Sequence, residues 1–130
     1  GRCRAGLAVK TFNGDEPRRA WTSVYCATPN IPAAVLRGIA RHARVHLYND
    51  EGDVLYATRD LLGVHTVAGG PRRFRLPRHA EVVYDLLDDR LIAEDVSSFD
   101  TTLPPASSAL YYTGDRERIG SLRRRTTERH

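Results

Sequence analysis

The sequence predicts a mainly β chain: a small antiparallel β-sandwich preceded by a β-hairpin and one helix left over from an α/β domain. Three observations predict it. After Val45 the chain is a series of short β-forming runs separated by turn residues, with no helical spacing between them. Residues 33–43 carry the one clear helical pattern, with Val35, Leu36, Ile39, Ala40 and Ala43 on one side. Two β-rich runs come before that helix, too little chain for a domain of their own.

The elements follow in order. Residues 5–12 are apolar and β-branched and end in the turn signal Asn13-Gly14-Asp15, with Pro17-Arg18-Arg19 extending the loop. Residues 21–27 (WTSVYCA) form the return strand. Pro29 and Pro32 break it, and Pro32 suits a first helical position, where no N–H is needed. Arg41 and His42 late in the helix complement its dipole. Further strands are expected at 46–48, 54–58, 61–67, 73–76, 81–87, 90–94, 98–103 and 107–113. Phe74 and Leu76 alternate with Arg73 and Arg75, and Phe99, Thr101 and Leu103 with Ser98, Asp100 and Thr102, which gives one buried and one wet face. The expected division is a hairpin and helix at 1–45, a β-sandwich at 46–114 and a basic, disordered tail at 115–130. The absence of methionine from all 130 residues marks the chain as a processed product or an excised fragment.

Charge argues against a nucleic-acid partner. The net charge of +4 is concentrated in residues 115–130, where six arginines face three acids. Residues 1–114 are close to neutral, so the basicity reads as a solvated end. No apolar run approaches the ~20 residues of a membrane helix, so no membrane partner is expected. No cofactor and no metal are expected either: Cys3 and Cys26 lack metal-ligand spacing, and the five histidines form no HxH or HExxH pattern.

Candidate chemistry is sparse. Asp85, Asp88, Asp89, Glu94, Asp95 and Asp100 fall at turns or exposed strand positions, where carboxylates serve solubility and turn geometry. His65 lies inside an apolar strand and reads as a hydrogen-bonded, half-buried side chain. A stand-alone enzyme would have to use a pair such as His65 and Asp85. No catalytic residue is assigned. Flat aromatic faces stack on sugars, so Trp21, Tyr111 and Tyr112 are the carbohydrate-binding candidates. Neighbours on a strand point to opposite faces, so one of Tyr111 and Tyr112 is expected to face outward.

Several stretches resemble a known family. Trp21-Thr22-Ser23-Val24-Tyr25, Pro29-Asn30-Ile31-Pro32, Val35-Leu36-Arg37-Gly38-Ile39-Ala40-Arg41 and Val45-His46-Leu47-Tyr48 resemble the end of the amidotransferase-like trimerisation domain of glycoside hydrolase family 42 β-galactosidases. Gly52-Asp53-Val54-Leu55-Tyr56-Ala57, Leu62-Gly63-Val64-His65, Phe74-Arg75-Leu76-Pro77, Val83-Tyr84-Asp85-Leu86 and Leu103-Pro104-Pro105 before Ala109-Leu110-Tyr111-Tyr112 resemble the C-terminal β domain that follows it. The resemblance covers residues 5–114. It implies a non-catalytic accessory domain whose partner is the remainder of a parent glycosidase, with a homo-oligomer, a trimer, as the assembly. The family's catalytic glutamates lie on a barrel with no counterpart in this chain. A stand-alone carbohydrate-binding module is the alternative. Two positions depart from the pattern: arginine at 44, where a helix-ending glycine is expected, and Asp88-Asp89, where a hairpin glycine is expected.

Overall fold

The computed structural model describes residues 6–13 and 20–127, with side chains through Ser121. The loop expected at 14–19, Cys3 and His130 lie outside the described residues. The chain divides into two compact units after Ala43.

In the first unit β1 (Leu7–Phe12) and β2 (Trp21–Cys26) form an antiparallel hairpin, in register from Leu7↔Cys26 to Phe12↔Trp21. Pleating puts Ala8, Lys10, Phe12, Trp21, Ser23 and Tyr25 on one face and Leu7, Val9, Val24 and Cys26 on the other. Helix α1 (Ala33–His42) follows. Pro32 is its N-cap, one position earlier than expected, and its carbonyl accepts the N–H groups of Val35 and Leu36 at 2.9 and 3.1 Å. Despite its apolar stripe, α1 has no buried residue. Arg44, directly after the helix, sits at φ 56°, so an arginine occupies the left-handed position that helices usually end on with glycine.

The second unit holds β3 (Val54–Ala57), β4 (Leu61–Thr66), β5 (Gly70–Asp85), β6 (Arg90–Leu103), β7 (Ser107–Gly114) and α2 (Arg116–Thr127). The strands make one antiparallel sheet in the order β3-β4-β7-β5-β6. The expected strands at 73–76 and 81–87 are one long strand, and so are those at 90–94 and 98–103. Pro77 does not interrupt β5 because it sits in an irregularity between Arg75 and Ala80, where the ladder skips and no N–H is required. Asp95, at φ 51°, answers it on β6. The 46–48 segment is not a strand, although the Tyr48 carbonyl accepts the Arg75 N–H at 2.7 Å.

The sheet bends over its own face. Only the last four residues of β5 (Val82 to Asp85) pair with β7, yet Phe74 and Leu76 at its other end pack with Phe99 and Leu103 over Leu62, Val64, Ala109 and Tyr111 of β4 and β7. The rings of Phe74, Phe99 and Tyr111 meet at centroid distances of 5.1–6.1 Å. This is the sandwich-like core, with each large side chain contributing about 1.5–3 kcal/mol. A second cluster lies on the opposite face, where Val82, Tyr84 and Tyr112 are covered by Ile119 of α2. Residues 116–127 are therefore helical, not the irregular tail expected from their charge. Gly69 closes the turn before β5 at φ 69°. A Cβ there would lie 2.5 Å from the Pro105 nitrogen and 2.8 Å from the Leu103 carbonyl oxygen.

Candidate functional site

A polar cleft in the second unit is built around Asp60. The β3–β4 turn is tied by the Thr58 N–H donating to the Leu61 carbonyl at 2.9 Å and the Leu61 N–H donating to Thr58 Oγ1 at 3.2 Å. This turn presents Arg59 and Asp60, and the Asp60 carbonyl is held by the Thr113 N–H at 2.8 Å. Arg78 comes from the β5 irregularity and Arg118 from the first turns of α2. Arg78 Nη2 donates to Asp60 Oδ1 at 3.2 Å and to the Arg59 carbonyl, while Arg118 Nη1 donates to Asp60 Oδ2 at 2.7 Å. Arg59 Nε lies 3.8 Å from Oδ1. Asp60 is 18% exposed, whereas the side chains of Arg59, Arg78 and Arg118 are 81%, 51% and 62% exposed. The carboxylate is thus a sheltered anchor and the guanidinium groups form a rim. The cleft has a volume of about 120 Å³, and His79 and Asp115 also line it. Three arginines against Asp60 and Asp115 leave it with a net positive charge, so its chemistry is recognition of an anion.

A second polar group is buried and serves the fold. Arg72 donates Nε to Asp53 Oδ2 at 2.7 Å and Nη2 to Oδ1 at 3.1 Å, and Nη2 also reaches Thr66 Oγ1 at 3.0 Å. Asn49 Nδ2 donates to Asp53 Oδ2 at 2.9 Å. Burial raises the Asp53 pKa, but the hydrogen bonds from Arg72, Thr66 and Asn49 outweigh it and hold the carboxyl below its ordinary value. For Arg72 the Asp53 hydrogen bond, opposed by burial, raises the guanidinium pKa further. This group ties the lead into β3 to the end of β4 and the start of β5.

The residues singled out from sequence do not converge. Trp21 is exposed on the hairpin and stacks on Phe12 at 4.1 Å and 13°. Tyr111 and Tyr112 do point to opposite faces, but both are buried, at 0% and 2% exposure. Neither presents a ring to a sugar. Ile119 covers the face on which Tyr112 was free to lie outward, and the Tyr112 hydroxyl donates to the Asp115 carbonyl at 3.1 Å. Burial raises the pKa of both phenols. His65 is exposed and shares a hydrogen bond of 3.0 Å with Ser108. Asp85 is buried, and its Oδ1 accepts the N–H groups of Leu87 and Asp88 at 3.0 and 3.2 Å, shaping the β5–β6 turn. His65 pairs with Ser108 on one side of β7 and Asp85 with Tyr111 on the other. Strand geometry separates them by about 14 Å, so they form no catalytic pair.

Sequence reading missed the Asp60 cleft. Its arginines come from a turn, a bulge and a helix, and no local pattern links positions 59, 78 and 118. Among the described residues no group of three or more His, Cys, Asp or Glu side chains could hold a metal ion, and no helix is long and apolar enough to cross a membrane. No family model matches the chain, and the comparisons with curated proteins and with solved structures return no match either.

Proposed function

We propose that this chain is a non-catalytic accessory module of a larger protein, a glycosidase on the resemblance above, and that it supports packing and oligomerisation of that parent. One observation carries the reading: among the described residues, the hairpin and helix of the first unit line an apolar groove and bury none of the side chains of α1. Leu7, Val9 and Val24 of the hairpin and Val35 and Ile39 of α1 line an open apolar groove of about 420 Å³. Leu36, Trp21 and Tyr25 are 51%, 57% and 68% exposed. A hairpin and one helix cannot bury a core of their own, and such a surface is the edge of a layer completed by further chain. The test is the reading frame upstream of the Gly1 codon. A frame continuing into a (β/α)₈ barrel with two glutamates at strand ends is the expected result. A start codon just upstream with no catalytic domain overturns the proposal.

The second reading is a carbohydrate-binding module. Trp21 supports it, since its exposed ring lies on the same hairpin face as Tyr25. Tyr111 and Tyr112 no longer do. Titration of the full chain with galactose-containing oligosaccharides tests it. Binding that Trp21→Ala abolishes is the expected result, and binding unchanged by that substitution removes the reading.

A further inference from the structure

The geometry points to the Asp60 cleft as a binding site for a phosphate-type oxoanion. This does not rest on the accessory-module reading, because every residue involved belongs to the second unit. Asp60 has each carboxylate oxygen engaged by an arginine, Oδ1 by Arg78 and Oδ2 by Arg118. Each guanidinium is thereby fixed at the cleft wall through one nitrogen. The other N–H groups of both arginines are directed to no described partner, and Arg59 brings a third guanidinium whose Nε is 3.8 Å from the same carboxylate. A planar fork with several donors suits a tetrahedral dianion better than a point charge does. The cleft volume of about 120 Å³ is well above the ~10–15 Å³ that admits one water. Tyr48, Leu76 and Pro77 give it a partly apolar wall.

Two negative groups oppose an anion. Asp60 is one, and its charge is spread onto the two arginines it anchors. Asp115, which lines the cleft, is the other. Three guanidinium groups outnumber them, and His79 lines the same cleft. The anchored carboxylate acts as a positioning residue: it takes one donor from each arginine and keeps both guanidinium groups in the cleft lining. The ligand is either free phosphate or the phosphate group of a small ester, since both present at least three terminal oxygens on a tetrahedral phosphorus.

The test is a titration of the full chain with inorganic phosphate and, separately, with a phosphorylated monosaccharide, against chloride at equal ionic strength. Binding is read from the arginine Nε–Hε resonances. Saturable shifts of Arg78 and Arg118 are expected. Tighter binding of the sugar ester identifies an ester as the ligand, and equal binding identifies phosphate alone. Arg78→Gln and Arg118→Gln should each weaken binding at least about five-fold, and Arg59→Gln about two- to three-fold. Arg59 is too exposed for its replacement to unfold the chain. Arg90→Gln, which removes a partner of Asp88 at the β5–β6 turn and does not line the cleft, should change nothing. Shifts that chloride reproduces, or equal weakening by Arg90→Gln, overturn the proposal.

Discussion

Arg72 grips Asp53 through two parallel hydrogen bonds of 2.7 and 3.1 Å, with the two side chains only 8% and 4% exposed. Breaking such a pair leaves a buried charge without its partner, which costs far more than the net worth of the pair. Asp53→Ala should therefore destabilise the second unit by about 3 kcal/mol, measured by denaturant unfolding at neutral pH. A cost as small as that of an exposed ion pair would contradict the buried geometry.

The same carboxylate sets an acid limit. Burial raises its pKa, the hydrogen bonds led by Arg72 lower it more, and the folded value lies below the unfolded one. The unfolded chain then holds the proton more tightly. The stability contributed by Asp53 is complete above about pH 4 and is lost as the pH falls through the folded value. Asp53→Asn should be less stable at neutral pH but should show a flatter acid limb than the wild type. Parallel acid limbs would contradict this linkage.

The alkaline side has the opposite sign. Burial raises the phenols of Tyr111 and Tyr112 above their ordinary value. Their contribution is complete below about pH 10 and is lost as the pH rises toward the folded values, because the unfolded chain ionises first. Tyrosinate absorbance should show a late wave coincident with unfolding, diminished by Tyr111→Phe and by Tyr112→Phe. Ionisation of both tyrosines near pH 10 with the fold intact would sink the idea.

The core was legible wherever alternation was local. Phe74, Leu76, Phe99 and Leu103 are buried as their period of two predicts. Arginine at 72 offered no sign of burial, because its partner Asp53 is 19 positions away in sequence. The breaks expected at Pro77 and near Asp95 failed because proline and turn signals also mark bulges inside continuous strands. α2 was hidden by its own composition. Five arginines between residues 116 and 125 read as solvated chain, and Ile119 is the one buried apolar side chain of α2 among those described. Missing that helix led directly to the expectation of an outward-facing tyrosine, since Ile119 covers Tyr112.

Ile119→Ala should accordingly open the smaller cluster. The substitution removes the apolar cover from Val82, Tyr84 and Tyr112, and at a site open on one side the cost should be near the low end for buried isoleucine, about 2 kcal/mol. Hydrogen exchange should rise across residues 116–121 while β4 stays protected. An unchanged melting temperature would mean that the helix contributes nothing to the second unit.

Two left-handed positions should respond in opposite directions. Arg44 at φ 56° bears a strain of about 1 kcal/mol that glycine would not. Part of that gain is offset by the greater freedom of glycine in the unfolded chain. Arg44→Gly should therefore stabilise the end of α1 by about 0.5 kcal/mol, seen as slower exchange of the Ala43 N–H that bonds to the Ile39 carbonyl at 2.9 Å. Gly69 has the reverse constraint. At φ 69°, a methyl group would meet the Leu103–Pro105 backbone at 2.5–2.8 Å, atoms that cannot swing aside. Gly69→Ala should cost on the order of 3 kcal/mol and loosen the pairing of Gly70 with Leu103. If the two substitutions shift unfolding by similar amounts in the same direction, the left-handed geometry assigned to one of these positions is wrong.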